Sequence, residues 1–124
     1  PTTTGAAKAL TKVFPQLSTQ IGGCGMRVPV ANGSLSDITF IVQKSTSVSE
    51  IIALFEQFEK KHPTILSLCY DPLVSKDILG DTHSCILDVE LTSVIGKMVK
   101  VVGWYDNEMG YSNRLIDAIC YLYS

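Results

Sequence analysis

No stretch of the sequence approaches the ~18 consecutive apolar residues needed to cross a bilayer. The opening PTTTGAAKAL also lacks the charged-then-apolar layout of a signal peptide. A soluble, cytoplasmic chain with no membrane partner is expected. Histidine is scarce, at His62 and His83 only, and tryptophan occurs once. The cysteines Cys24, Cys69, Cys85 and Cys120 form no CxxC pair, and their spacing from the histidines matches no usual zinc-ligand pattern. Free thiols are expected over disulfides, and no metal is expected. Ten basic residues face twelve acidic ones, and the lysines are scattered rather than gathered into a stripe. Nucleic acid is therefore excluded as the main ligand. There is no repeat, no low-complexity tract and no Gly/Ser/Pro-rich linker.

What remains is an ordinary globular composition, 46% hydrophobic and 18% charged over 124 residues. A chain of this size buries roughly two thirds of its unfolded surface, so a single domain over 1–124 with one core is expected. TTTGAAKALTKVF reads as a helix with Thr4 as N-cap and Pro15 closing it. CGMRVPV and SLSDITFIVQ read as two strands joined by a hairpin turn at Asn32-Gly33. Ser47 with Glu50 forms a capping-box signature, and Val48, Ile51, Ile52, Phe55 and Phe58 recur at helical spacing until Lys60-Lys61-His62-Pro63. TILSLCY, SCILDVELTSVIG and KMVKVVGWY are three further strands, and SNRLIDAICYLYS is a last helix. This order predicts an α+β fold with a mixed, largely antiparallel sheet covered by helices on one face.

Between the strand MVKVV and the final helix stands a polar, aromatic corner, GWYDNEMGYSNR, in which Gly110 is expected to break the run before the helix begins. Asn107 carries an amide that donates and accepts together, and Tyr111 offers a flat apolar face with a polar tip. The pair would suit a flat heterocycle bearing a carboxamide; the plainer alternative is that Asp106 and Asn107 cap the turn and the helix. A second cluster lies near the start. Thr3 and Thr4 with the amides of Gly5 and Ala6 open a helix where an anion is favoured, against the alternative of a plain N-cap. Arg27, flanked by Met26 and Val28-Pro29, calls for an anionic partner, either a ligand or one of the chain's own carboxylates such as Asp37. His83 stands two residues from Cys85, but that spacing alone does not bring the tips together, and a catalytic dyad is the weaker reading.

PTTTGAAKAL, MRVPV, SLSDITF, DTHS and above all WYDNEMGYSNR resemble, in order and at similar spacing, the C-terminal part of the catalytic domain of phosphorylating glyceraldehyde-3-phosphate dehydrogenase. The resemblance runs over essentially the whole chain. It implies a glycolytic, NAD-dependent oxidoreductase in which a cysteine thiolate attacks the aldehyde, a histidine acts as base, hydride passes to NAD, and inorganic phosphate cleaves the thioester. The family's Ser-Cys-Thr-Thr-Asn-Cys run, its histidine region and its Rossmann domain are absent from this sequence and would precede Pro1. No catalytic residue is therefore assigned here, and the isolated chain is expected to be inactive. The resemblance implies an enzyme acting on glyceraldehyde 3-phosphate and inorganic phosphate, in which Thr4 and Gly5 contribute to the site for the attacking phosphate and Arg27 reaches the substrate phosphates. It further implies that Asn107 fixes the nicotinamide carboxamide of NAD, with Tyr111 packing beside it, and that the complete enzyme is a homotetramer.

The sequence departs from the family pattern at Val30, where threonine is usual, at Gly33, where a β-branched residue is usual, and at Met109, where an aromatic is usual. The stretch Pro72 to Gly96 is shorter than in typical members. The alternative is a catalytically inactive, split-off module acting in assembly or protein–protein interaction, since a piece cut from a larger sheet leaves open edges and uncovered apolar faces.

Overall fold

The computed structural model describes residues 1–123; Ser124, the last residue of the expected final helix, lies outside them. The chain forms two compact units, Pro1–Val30 and Ala31–Ser124. In the first, α1 spans Ala6–Val13 and a 3-10 turn follows at Pro15–Leu17. The alanines and the leucine favour the helix, and its end falls at Phe14, immediately before the proline.

The expected strand over 24–30 does not form. Only Gly25 pairs, in a single antiparallel bridge with Thr2 (2.8 and 2.7 Å). Glycines at 22, 23 and 25 weaken extended structure and Pro29 lacks a donor. The Val30 N–H then turns back to the carbonyl of Val28 (2.9 Å), bending the chain over the proline. With that strand missing, Asn32-Gly33 joins no hairpin.

The second unit holds β1 (Ser34–Ile41), α2 (Val48–Lys61), β2 (Leu66–Cys69), β3 (Cys85–Ile95), β4 (Met98–Tyr105) and α3 (Asn107–Tyr123). The sheet runs β1-β4-β3-β2, antiparallel across the first two junctions and parallel between β3 and β2. This is the expected α+β fold with a mixed sheet. β3 and β4 are joined by a two-residue turn whose Gly96 sits at φ 63°, a conformation that costs glycine little. β1 pairs with β4 over its whole length, from Ser34 opposite Tyr105 to Ile41 opposite Met98.

α2 lies on one face of the sheet, where Ile51 and Ile52 meet Leu66, Leu87, Val99 and Val101 in the buried core. Its start is the expected capping box: Ser47 Oγ accepts from the Glu50 N–H (3.3 Å) and Glu50 Oε2 accepts from the Ser47 N–H (3.0 Å). Thr46 adds a hydroxyl on the same carboxylate (2.8 Å), and these bonds hold the Glu50 carboxyl below its ordinary value. Ser47→Ala should destabilise the unit by about 1 kcal/mol, read as a lower denaturant midpoint at unchanged slope. A change under a few tenths would mean that Thr46 and Glu50 hold the helix start without it.

Among the described residues no helix is long and apolar enough to cross a membrane, and all four cysteines are free thiols.

Candidate functional site

The register of the sheet brings three element ends together. β1 begins at Ser34, β4 ends opposite it at Tyr105, and β3, starting at Cys85, first pairs with β4 at Ile86 opposite Trp104. α3 leaves directly from this end, starting at Asn107 rather than after Gly110. Gly110 is buried inside the helix, not a break in it, and its reason is contact: a Cβ there would stand 2.9 Å from the carbonyl oxygen of His83. The helix can lie against the 83–84 backbone only because that residue has no side chain.

Asp106 organises the corner. Its Oδ1 accepts from the N–H groups of Glu108 and Met109 (3.1 Å each), which caps α3. Its Oδ2 accepts from the Gly80 N–H (2.9 Å) and from Asn32 Nδ2 (3.4 Å). The residue is only 3% exposed, and the Gly80 and Met109 N–H groups lead in holding its carboxyl below the ordinary range. The capping alternative for Asp106 therefore holds.

Asn107 has a different role. Its Oδ1 accepts from Ser34 Oγ (2.6 Å), which fixes the amide with its carbonyl on β1 and leaves the NH2 group as the uncommitted end. Asn107 and Tyr111 line one shallow depression of about 300 Å³, together with Ser84, Tyr105 and Arg114. Arg114 grips Asp117 through Nε and Nη2 (2.9 and 2.8 Å) and donates from Nη1 to Ser84 Oγ (3.1 Å) and to the carbonyl of Thr64. It ties α3 to the loops before β2 and β3. The depression thus presents an amide donor and aromatic faces beside a guanidinium already neutralised by a carboxylate. Such a lining can hydrogen-bond to a bound group and pack against it.

His83 and Cys85 do not form a dyad. The imidazole lies between Asp81 Oδ1 (Nδ1, 2.7 Å) and the carbonyl of Pro63 (Nε2, 3.0 Å), so both ring nitrogens are occupied. The Cys85 thiol packs against Gly103, and burial pushes its pKa up, away from a nucleophilic thiolate.

Thr4, Gly5 and Arg27 belong to the first unit, Asn107 and Tyr111 to the second. Gly5 is the N-cap of α1, and Thr4, one residue earlier, takes the Ala6 N–H on its hydroxyl (3.2 Å). One of the two amides expected to be free for an anion is thus engaged. Arg27 is not set among buried neighbours: Met26 is 69% and Val28 61% exposed. Asp37, the carboxylate named as its alternative partner, binds Lys100 across the β1–β4 ladder (2.8 Å). Among the described residues Arg27 has no ion-pair partner. The sequence alone assigns no role to Ser34 or Arg114; the strand register that reveals the first is a long-range feature. Arg114 did end the recognised motif, where arginine beside a helical carboxylate three residues on is a readable pair.

The model of the glyceraldehyde 3-phosphate dehydrogenase C-terminal domain family matches residues 1–107. The chain is 48% identical over 118 residues to "Glyceraldehyde-3-phosphate dehydrogenase 1" of Streptomyces avermitilis, covering 94% of this chain and 35% of that protein. It is 48% identical over 120 residues to glyceraldehyde-3-phosphate dehydrogenases of Mycobacterium leprae and Mycobacterium tuberculosis, covering 96% of this chain and 35% of each. The chain spans about a third of the length of these curated relatives.

Proposed function

The chain belongs to the glyceraldehyde 3-phosphate dehydrogenase C-terminal domain family, and from that premise we propose that it supplies the nicotinamide-orienting corner and part of the phosphate contacts of an NAD-dependent, phosphorylating aldehyde dehydrogenase. The observation that carries this reading is the fixed amide of Asn107 on a depression shared with Tyr111. Its donor set suits the nicotinamide end of NAD: a carboxamide oxygen needs an N–H donor, and a flat ring needs an aromatic neighbour. NAD, when bound, would supply the hydride acceptor. Asn107 holds the carboxamide and so selects which ring face meets the substrate, Ser34 keeps the amide turned, and Tyr111 covers the ring. Thr4, Gly5 and Arg27 hold phosphate, Arg27 as a fork-shaped cation and the other two as a helix start. The nucleophilic cysteine and the base belong to other parts of the enzyme, which is cytoplasmic and homotetrameric in this reading.

In the full-length polypeptide that carries these residues, Asn107→Leu should lower kcat/KM for NAD by roughly tenfold or more, the cost of one lost orienting hydrogen bond, with the KM for phosphate unchanged. Arg27→Ala should leave the NAD kinetics unchanged and raise the KM for glyceraldehyde 3-phosphate and phosphate. The 124-residue chain alone, given glyceraldehyde 3-phosphate, NAD and phosphate, should produce no NADH. Unchanged NAD kinetics in Asn107→Leu would overturn the reading.

One observation favours a second reading, an inactive module acting in assembly: Leu115, Ile116, Ile119 and Leu122 are all exposed along α3. Sedimentation showing self-association, with no change on adding NAD or phosphate, would put that reading first.

A further inference from the structure

We propose that Asn32-Gly33 is a site of spontaneous backbone modification, at which Asn32 converts to aspartate and isoaspartate through a cyclic imide and thereby unlatches the start of α3. The Gly33 nitrogen lies 2.7 Å from Oδ1 of Asn32, so the nucleophile already sits against the side-chain acyl group. Glycine has no Cβ to shield that nitrogen, and residues 31–33 belong to no helix or strand that would lock the backbone.

In the reaction the Gly33 amide loses its proton to base and leaves its hydrogen bond, and its nitrogen bonds to Cγ of Asn32. The Cγ–Nδ2 bond breaks, Nδ2 departs as ammonia after taking up a proton, and a five-membered imide remains. Water then opens the ring. Hydrolysis at the side-chain carbonyl gives aspartate, and hydrolysis at the main-chain carbonyl gives isoaspartate. No oxidant or cofactor is needed.

The group expelled is the one that serves Asp106. Asn32 Nδ2 donates to Asp106 Oδ2 at 3.4 Å, on the carboxylate that also holds the N–H groups of Gly80, Glu108 and Met109. A carboxylate in place of that amide offers only acceptors and sets two anions side by side. The repulsion falls on the cap of α3, and through it on Asn107. The isoaspartate product also lengthens the main chain by one atom directly before β1, where Gly33 stands against the carbonyl of Ser75.

The other two asparagines are internal controls. Asn107 and Asn113 lie in α3, followed by Glu108 and Arg114, and the Glu108 N–H is committed to Asp106. Trypsin separates them: Asn32 falls in peptide 28–44, the others in 101–114. The native chain and its Asn32→Gln variant would be incubated in mildly alkaline buffer at body temperature, then digested and weighed. Peptide 28–44 should gain about one dalton, in two chromatographic forms, at least roughly tenfold faster than 101–114, and the Gln variant should not. The aged protein should melt several degrees lower. Asn32→Asp, made directly, should show the same loss, recovered in part on acidification. If 28–44 keeps its mass in the native chain while a urea-unfolded sample converts, the fold protects the site and the proposal fails. Conversion with an unchanged melting point would overturn the link to Asp106. Neither result depends on whether the depression binds nicotinamide.

Discussion

Asp106→Ala should lower the thermal midpoint by about 10 °C, the order expected when a helix cap is lost and buried N–H groups are left without acceptors in a unit of this size. One carboxylate here satisfies four donors from three separate stretches: the Asn32 side chain, the Gly80 N–H, and the first turn of α3. Its removal frees the helix start and both loops together. Asp106→Asn should fall between, because the amide oxygen can still cap α3 while its NH2 meets the Gly80 N–H as donor against donor. The pH dependence has a definite sign. The folded-state pKa of Asp106 is depressed, chiefly by the Gly80 N–H and then by Met109. Its stabilisation is therefore fully present above the ordinary aspartate value of about 3.9 and is lost as the pH falls from there through the folded value. Wild-type protein should lose this contribution on acidification, and Asp106→Asn should not. Equal acid sensitivity in the two proteins would mean that other carboxylates govern the transition.

That keystone was half legible. The sequence offered Asp106 as a cap, which needs only local spacing, but its bonds to Asn32 and Gly80 span 74 and 26 positions and leave no local trace. The same division runs through the fold. α2 could be read to the residue because a capping box and an apolar stripe are short-range signals. Asn32-Gly33 misled because a hairpin turn needs two strands, and the stretch before it, interrupted by glycines and Pro29, cannot make the first. Gly110 misled for the opposite reason: helix propensity argued for a break, whereas close packing on the His83 carbonyl argued for glycine within the helix. For the candidate site, the family motif points to Asn107 and Tyr111, which the fold brings to one depression. Ser34, which turns the amide, emerges only from the pairing of β1 with β4.

Gly103→Ala should destabilise the protein by about 1 to 3 kcal/mol, the cost of overpacking a core, and Cys85→Ala should rescue it. Gly103 lies buried in β4 opposite Leu87, and a Cβ built on it would stand 2.6 Å from the Cys85 sulfur. That distance is well inside contact, and the sulfur belongs to a half-buried side chain at the start of β3, so relief requires the strand or the thiol to shift. Cys85→Ala alone should cost about 1 kcal/mol for the small cavity it leaves. In the double variant the new methyl group occupies the space vacated by the sulfur, so the combined loss should be smaller than the sum of the two single losses. Additive losses would show that the crowding lies elsewhere on the strand. The same packing makes a chemical prediction: the Cys85 thiol, with its pKa raised by burial, should react with a thiol reagent far more slowly than the exposed Cys24 and Cys120. In Gly103→Ala, where the added methyl displaces the sulfur, its reaction should quicken, which ties the stability effect and the reactivity to one contact.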